Sequence, residues 1–413
     1  MSVSSWFSLI HPQVWILVLG RFLSELGTGF TLFYAPIFFV NQVGLSATAV
    51  GFALGCASIS GVVGRILGGS FADSPQMGRR RTLLLSAAIS AVGSLVLAGT
   101  QNFVTLVIGN LIGGLGIGLY WPATEAVVAD VTLTENRREA FAITRLADNL
   151  GLGMGIVLGG VLVTATGSYR TLFIIDAISF IVFFVVVYVA IAETHQRQQT
   201  RQQETSHFAA WMVALRDRRL LVYVAVNIIF TTYISQLHST LPVYFKNFVL
   251  VDSIKRIADS TISVLFAWHL AVAILAQLPV ARILKRFSHS QALAVSALLW
   301  AGGFCLIWIT GISHSGQLYW AALALGVFAV AIVSYTPSAA SLVTDLAPPS
   351  QRGVYFSINS LCWAVGYFIG PPLGGWALDQ PQSLIDYFWL WLALSVIITL
   401  AILYYLHRLL LSE

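Results

Sequence analysis

Among the charged residues inside otherwise apolar runs in the first half of this 413-residue chain are two bases and three acids at telling positions: Arg21 and Glu25, Glu125, then Arg145 and Asp148. An ionised side chain at the centre of a bilayer costs roughly 2.5–3.5 kcal/mol on insertion scales, so such residues face a partner or a cavity. Arg21 and Glu25 are i,i+4; Arg145 and Asp148 are i,i+3. Both spacings place the partners on one helical face. Three acids therefore stand against two bases, and burial without a full counter-charge favours the protonated form of a carboxylate. That is the chemistry of a proton carrier. Glu25 and Asp148 are the leading candidates because both fall near mid-depth, whereas Glu125 lies close to a polar corner that begins at Asp130. The alternative is two static salt bridges, Arg21–Glu25 and Arg145–Asp148, with Glu125 in solvent.

The second half lacks such charges deep in its apolar runs and offers only His238 and His269. Each lone histidine reads as a hydrogen-bonded wall residue before it reads as a coupling site. Asn227, Thr231, Ser235, His238 and Pro242 form one polar stripe at helical spacing. Aligning Pro36 with Pro242 sets Arg21 opposite Asn227 and Glu25 opposite Thr231. Asn110, Gly114, Ile117, Trp121 and Glu125 repeat the pattern. Asn110, Tyr120, Trp121, Asn227, Thr231, Ser235, His238 and Tyr335 are accordingly the candidate lining of a central pathway. Their aromatic members suit an apolar or cationic substrate.

The elements that must position these residues follow from composition. Hydrophobic residues make up 57% of the chain and charged ones 9%, with a mean hydropathy of +0.82; a soluble domain carries about 25% charged residues. A bilayer-spanning helix needs roughly 20 mostly apolar residues. Twelve runs qualify: 13–40, 47–70, 81–100, 103–128, 141–166, 171–193, 220–247, 261–281, 290–311, 317–344, 354–378 and 388–408. Only helices satisfy their backbone over such lengths in lipid. The first run is too long for a cleavable signal and is expected to be retained. Cys56, Cys305 and Cys362 lie in apolar runs without CxxC spacing, so neither a disulfide nor a metal site is expected. The net charge of +5 is spread in short basic clusters between runs and does not point to nucleic acid. Fifteen of the 22 Lys and Arg residues fall on one side if both termini are cytoplasmic, and four on the other; the positive-inside rule fixes that orientation.

The stretch 120–160 recurs 215 positions later. Tyr120 matches Tyr335, Pro122 matches Pro337, Asp130 matches Asp345 and Arg137 matches Arg352. Gly151, Gly155, Gly159 and Gly160 match Gly366, Gly370, Gly374 and Gly375. Shared apolar composition does not hold a proline, an acid, a base and four glycines in register, so the chain reads as a duplicated unit: residues 1–193, a cytoplasmic linker 194–219, and 220–413. Within the linker, 208–215 suits a short helix at the membrane surface. The Asp130…Arg137 and Asp345…Arg352 corners read as cytoplasmic latch pairs; an exposed pair is worth only about 0–1 kcal/mol, which suits a latch that opens. The glycines after each corner let helices approach closely.

Between the second and third runs stands Gly69-Ser70-Phe71-Ala72-Asp73, followed by Gly78-Arg79-Arg80-Arg81. Twelve runs, the two-half repeat and this loop together resemble the major facilitator superfamily across essentially the whole chain. The family's loop reads Gly-x-x-x-Asp-Arg-x-Gly-Arg-Arg. Gly69, Asp73, Gly78, Arg79 and Arg80 match; Ser74 replaces the first arginine, and two residues are inserted before Gly78. The resemblance implies a gating role for this loop, the alternative being an inside-positive anchor. Asn110 stands where many members carry an arginine. Among the branches the chain is most similar to bacterial multidrug/proton antiporters, on its span-1 acid, its Gly155…Gly159-Gly160 stretch and its Arg216-Asp-Arg-Arg219 lead-in. The antiporters' proline within that glycine stretch is missing here and appears instead at Gly370-Pro371-Pro372.

The fold expected is an all-helical membrane protein of twelve helices in two pseudo-symmetric six-helix bundles. The function expected is secondary active transport by alternating access, driven by a proton gradient, with efflux of a small lipophilic or cationic molecule. Uptake or exchange of a metabolite is the runner-up, and a non-transporting receptor or scaffold is the reading from another class. No enzymatic constellation is present. The expected partners are the bilayer, a small-molecule substrate and protons, with no cofactor. The chain is expected to act as a monomer in a bacterial plasma membrane.

Overall fold

The computed structural model describes residues 12–133, 137–194, 207–251, 255–348 and 351–411. The side chains of Arg137, Arg145 and Arg352 lie outside the described residues, as does most of the linker, 195–206. Nearly everything described is helical. The first six membrane helices are α1 (Pro12–Asn41), α2 (Ala47–Ala72), α3 (Gly78–Ala98), α4 (Phe103–Val131), α5 (Arg137–Thr166) and α6 (Arg170–Ala190). A short helix, α7 (His207–Ala214), falls where the linker's apolar stretch predicts one. The seventh span is split into α8 (Arg218–His238) and α9 (Thr240–Asn247). The rest are α10 (Asp259–Leu284), α11 (His289–Ile312), α12 (Gln317–Leu346), α13 (Arg352–Leu378) and α14 (Gln382–Leu411). Eleven spans are long and apolar enough to cross a membrane. The twelfth, α13, has 27 residues but is diluted by Asn359, several glycines and Pro371-Pro372.

Local chemistry sets the ends. Asn102 and Ser288 each close a capping box, with Thr105 and Gln291 respectively, so two otherwise orphaned amides are satisfied at each start. Asp217 accepts from the backbone N–H of Arg219 and Leu220 at the start of α8. The break at Ser239 leaves Pro242, which cannot donate to the carbonyl of His238, in the first turn of α9, where it is tolerated. A two-stranded antiparallel hairpin, β1 (Leu250–Val251) with β2 (Lys255–Arg256), follows α9; nothing in the sequence marked it.

The chain divides into two compact units, Met1–Thr200 and Arg201–Glu413. In the first, α1 packs on α5 and α6, α4 packs on α2 and α3, and α3 packs on α6. In the second, the same network recurs: α8 on α13 and α14, α12 on α10 and α11, and α11 on α14. The repeated glycines hold equivalent contacts. A Cβ on Gly155 would meet the backbone of α1 at Leu26 and Gly29, and one on Gly151 would meet Phe22 and Glu25. A Cβ on Gly366 or Gly370 would strike Thr231 or Ser235 of α8. Close approach is therefore backbone against backbone in the first half and backbone against hydroxyl in the second.

Candidate functional site

Arg21 on α1 is 2% exposed. It meets Asp148 of α5 through both carboxylate oxygens, Nε donating to Oδ1 at 2.8 Å and a terminal nitrogen donating to Oδ2. The guanidinium also lies 5.4 Å from the ring centroid of Tyr120 and 5.3 Å from that of Trp121, both on α4. Three helices thus converge on one charge. The fork of an arginine matches a carboxylate bidentately, and its weakly hydrated plane accepts aromatic faces. The spacing rule pairs Asp148 with Arg145, whose side chain lies outside the described residues, and Arg21 with Glu25, which acts on it electrostatically; the structure adds a pairing of Arg21 with Asp148 across helices. Gly151 and Gly155 allow it, since they bring α5 so close to α1 that Asp148, a turn before Gly151, sits against Arg21.

Glu25 is half-buried one turn along α1, within electrostatic reach of Arg21. Its Cβ would stand 3.0 Å from a Cβ built on Gly151. Glu125 is exposed on α4, a turn beyond Trp121. Of the proton-carrier candidates, then, Asp148 and Glu25 gather round Arg21, while Glu125 is exposed on α4.

The second half fills the equivalent place with neutral groups. Tyr335 Oη donates to Asn227 Oδ1. Asn227 Nδ2 donates to Asn359 Oδ1 at 2.9 Å, and Tyr223 Oη donates to the same oxygen at 2.6 Å. Tyr335 stacks on Phe230 at 4.8 Å. The correspondence of Arg21 with Asn227 and Tyr120 with Tyr335 therefore holds in space. Several expected lining residues turn out to serve packing. Thr231 Oγ1 donates to the Cys362 carbonyl at 3.0 Å, and Ser235 Oγ points to the Gly366 carbonyl at 3.4 Å. Asn227, Thr231, Ser235 and Tyr335 are all essentially unexposed, because their polar groups satisfy α13 or one another. Asn110 is buried and donates to Leu106 O in its own helix. Trp121 and His238 remain half-buried; His238 Nδ1 lies 2.9 Å from Tyr367 Oη.

The loop between α2 and α3 gathers charge from four places. Arg79 Nε lies 2.8 Å from Asp130 Oδ2, and Nη1 lies 3.3 Å from Asp73 Oδ1 and donates to Ala72 O at 2.7 Å. The Glu193 carboxylate accepts from the backbone N–H of Arg79 at 3.0 Å and of Arg80 at 3.2 Å. It thereby caps the amino end of α3, where a negative charge is favoured. Gly78 opens the helix at φ 71°; a side chain there would strike Glu193 as well as strain the backbone. Arg80 lies over the Tyr188 ring at 5.2 Å. Gly69 borders open space. Asp130 thus takes Arg79 as a partner within its own half, and Asp345 takes His289, with Nε2 at 3.1 Å. The latch partners expected for them, Arg137 and Arg352, lie outside the described side chains.

One acid escaped the sequence reading. Asp176, in the middle of the sixth apolar run, is 4% exposed. Its Oδ2 accepts from Ser94 of α3 at 2.7 Å and from Thr31 of α1 at 3.4 Å. Its Oδ1 is buried without a hydrogen-bond partner. A lone Asp within a span was itself the signal; with no base at helical spacing, it did not stand out beside the apparent pairs at 21–25 and 145–148.

A family model described as Major Facilitator Superfamily matches residues 17–254 and 249–411. A Na(+), Li(+), K(+)/H(+) antiporter of Planococcus maritimus is 24% identical over 91% of this chain and 92% of its own. Multidrug resistance protein MdtH of Aeromonas hydrophila is 25% identical over 93% and 92%. The crystal structure of nucleoside transporter NupG superposes with a TM-score of 0.81 at 14% identity, over 96% of this chain and all of that one.

Proposed function

The chain belongs to the major facilitator superfamily and is a multi-pass membrane transporter, and from that premise we propose that it exports a small lipophilic or cationic molecule in exchange for protons. The observation that carries this reading is the buried Arg21–Asp148 pair with Glu25 beside it, in a half whose counterpart is neutral. A proton arriving on Asp148 removes one charge of a desolvated pair. That leaves Arg21 buried with less compensation, a state costly enough to drive rearrangement. Glu25, one turn away, is the nearest carboxylate to share the charge or relay the proton. Protonation and the α1–α5 contact are thereby linked, which is what coupling requires: the two conformations must differ in their affinity for the proton.

The substrate is exposed to the two sides in turn, as alternating access demands. With both termini cytoplasmic, the basic loops face the interior of a bacterial cell. The names of the relatives, multidrug resistance protein and cation/H(+) antiporter, support exchange against protons over uptake.

The test is flux in proteoliposomes under an imposed pH gradient, across lipophilic cations, alkali cations and metabolites, for wild type, Glu25→Gln and Asp148→Asn. Gradient-driven efflux of a lipophilic cation should fall at least tenfold in one of the two variants. Undiminished gradient-driven flux in both refutes the carrier assignment, and accumulation of a metabolite down the proton gradient refutes the direction.

A further inference from the structure

Asp176 has the surroundings of a site. The carboxyl is enclosed by three helices, and two hydroxyls converge on Oδ2, from Ser94 on α3 and Thr31 on α1. Oδ1 is fully buried, makes no hydrogen bond and faces Gly27 so closely that a methyl carbon there would sit 2.6 Å from it. Among the described residues no other titratable side chain faces this point. From α1 it is met by Gly27 and Thr31 and from α3 by Ser94, and no charged group among the described residues acts on it. Arg21 lies more than a turn before Gly27 along α1, and Glu25, two residues before it, meets Gly151 of α5. The bases of α3 lie at its opposite end, and Arg170 at the start of α6 lies over Phe38.

An ionised carboxylate buried with no base is among the most costly arrangements a protein can hold, and an orphaned oxygen in such a place calls for an unseen occupant. The space at Oδ1 is bounded by the Gly27 backbone. A methyl carbon on Gly27 would already clash there, so the spacing favours a hydrogen atom over a cation with its ring of oxygen ligands. We propose that Asp176 is a proton-binding site of the first half, distinct from the Arg21–Asp148 pair and exchanging with bulk water. The O–H bond forms at Oδ1 with a proton taken from water, while Oδ2 keeps its two hydroxyl donors and no other bond breaks. Because α1 carries both Thr31 and Arg21, the occupant of this site biases the same helix that the ion pair holds. Use of the site in transport rests on the proton-coupled reading above; the binding itself does not.

Infrared difference spectroscopy of the purified full-length protein tests the binding without transport. Raising the pH should remove a carboxylic-acid C=O band in wild type and in Asp148→Asn. The band should be absent at every pH from Asp176→Asn. Ser94→Ala, which keeps the acid and removes a donor to Oδ2, should move the band to higher frequency rather than abolish it; this second variant serves if Asp176→Asn does not fold. Three outcomes overturn the proposal: no band assignable to Asp176, a band indifferent to pH, or a carboxylate signal that responds to sodium at constant pH. If the band behaves as expected while gradient-driven flux is absent, the proton site stands and the antiport reading falls.

Discussion

At the scale of single residues, the central question is what the Arg21–Asp148 pair does for the fold and what it does for function. A desolvated pair contributes little net stability, yet losing one partner strands the other, at about 3–5 kcal/mol. Asp148→Ala and Arg21→Ala should each lower the unfolding midpoint in detergent steeply. Arg21→Met with Asp148→Leu should restore most of that loss, because a well-packed apolar pair replaces a buried ionic one at little or no cost. The double variant should nonetheless fail to couple flux to a pH gradient. Stability that stays low in the double variant would show that the pair holds the fold rather than the mechanism. The residues of this cluster were legible in the sequence as charges in apolar runs. Their partners were not. Periodicity finds neighbours within a helix, and Asp148 meets Arg21 only because glycines elsewhere on α5 bring two helices together. Asp176 shows the same limit from the other side: its neighbours Ser94 and Thr31 come from helices far apart in sequence.

At the scale of elements, the repeat glycines decide which helices touch. Gly155 meets the α1 backbone, and Gly370 meets Ser235 and the Thr232 carbonyl on α8. A leucine at either position must push the helices apart, and forced overpacking costs typically about 1–3 kcal/mol. Gly155→Leu carries a second consequence, because widening α1–α5 also stretches the Arg21–Asp148 bonds. Gly370→Leu disturbs neutral contacts, the Ser235 hydroxyl and the Gln236 amide that donates to the Gly370 carbonyl, and interhelical hydrogen bonds in membranes average about 0.6 kcal/mol. Thermal unfolding of both variants should show a loss, with the larger one in Gly155→Leu. Equal losses would mean that the ion pair adapts to the wider spacing. The helices themselves are legible as long apolar runs, which admit one structure in a bilayer, with ends displaced by a few residues and by six at the start of α14. What was not readable is the split at Ser239. Pro36 and Pro242 occupy aligned positions, but α1 runs through its proline while the seventh span breaks. The polar stripe on α8 is legible from spacing, whereas its hydrogen-bond partners on α13 are not.

At the scale of the whole molecule, a duplicated frame carries an unduplicated charge. The five helix contacts of the first half recur in the second, and the Tyr120 and Tyr335 positions correspond. One half surrounds its tyrosine with an ion pair, the other with amides and phenols. If proton coupling belongs to the charged half, the pH profile of transport must be set there. In the second half His238 is a competitor to test, because it carries an imidazole, the usual proton-switching side chain, and stands at the helix break, bonded to Tyr367. Tyr335→Phe removes a bond to Asn227, worth roughly 0.5–1.5 kcal/mol, and His238→Gln keeps a hydrogen-bonding group without a titrating one. Both should alter the apparent affinity for substrate or the stability while leaving the midpoint of the pH profile where wild type has it. Asp148→Asn should flatten the profile. Transport rate against pH, measured at saturating substrate in proteoliposomes, separates the cases. A profile flattened by His238→Gln as much as by Asp148→Asn would place the coupling in both halves. The charge asymmetry would then be a relic of the duplication rather than the source of the coupling.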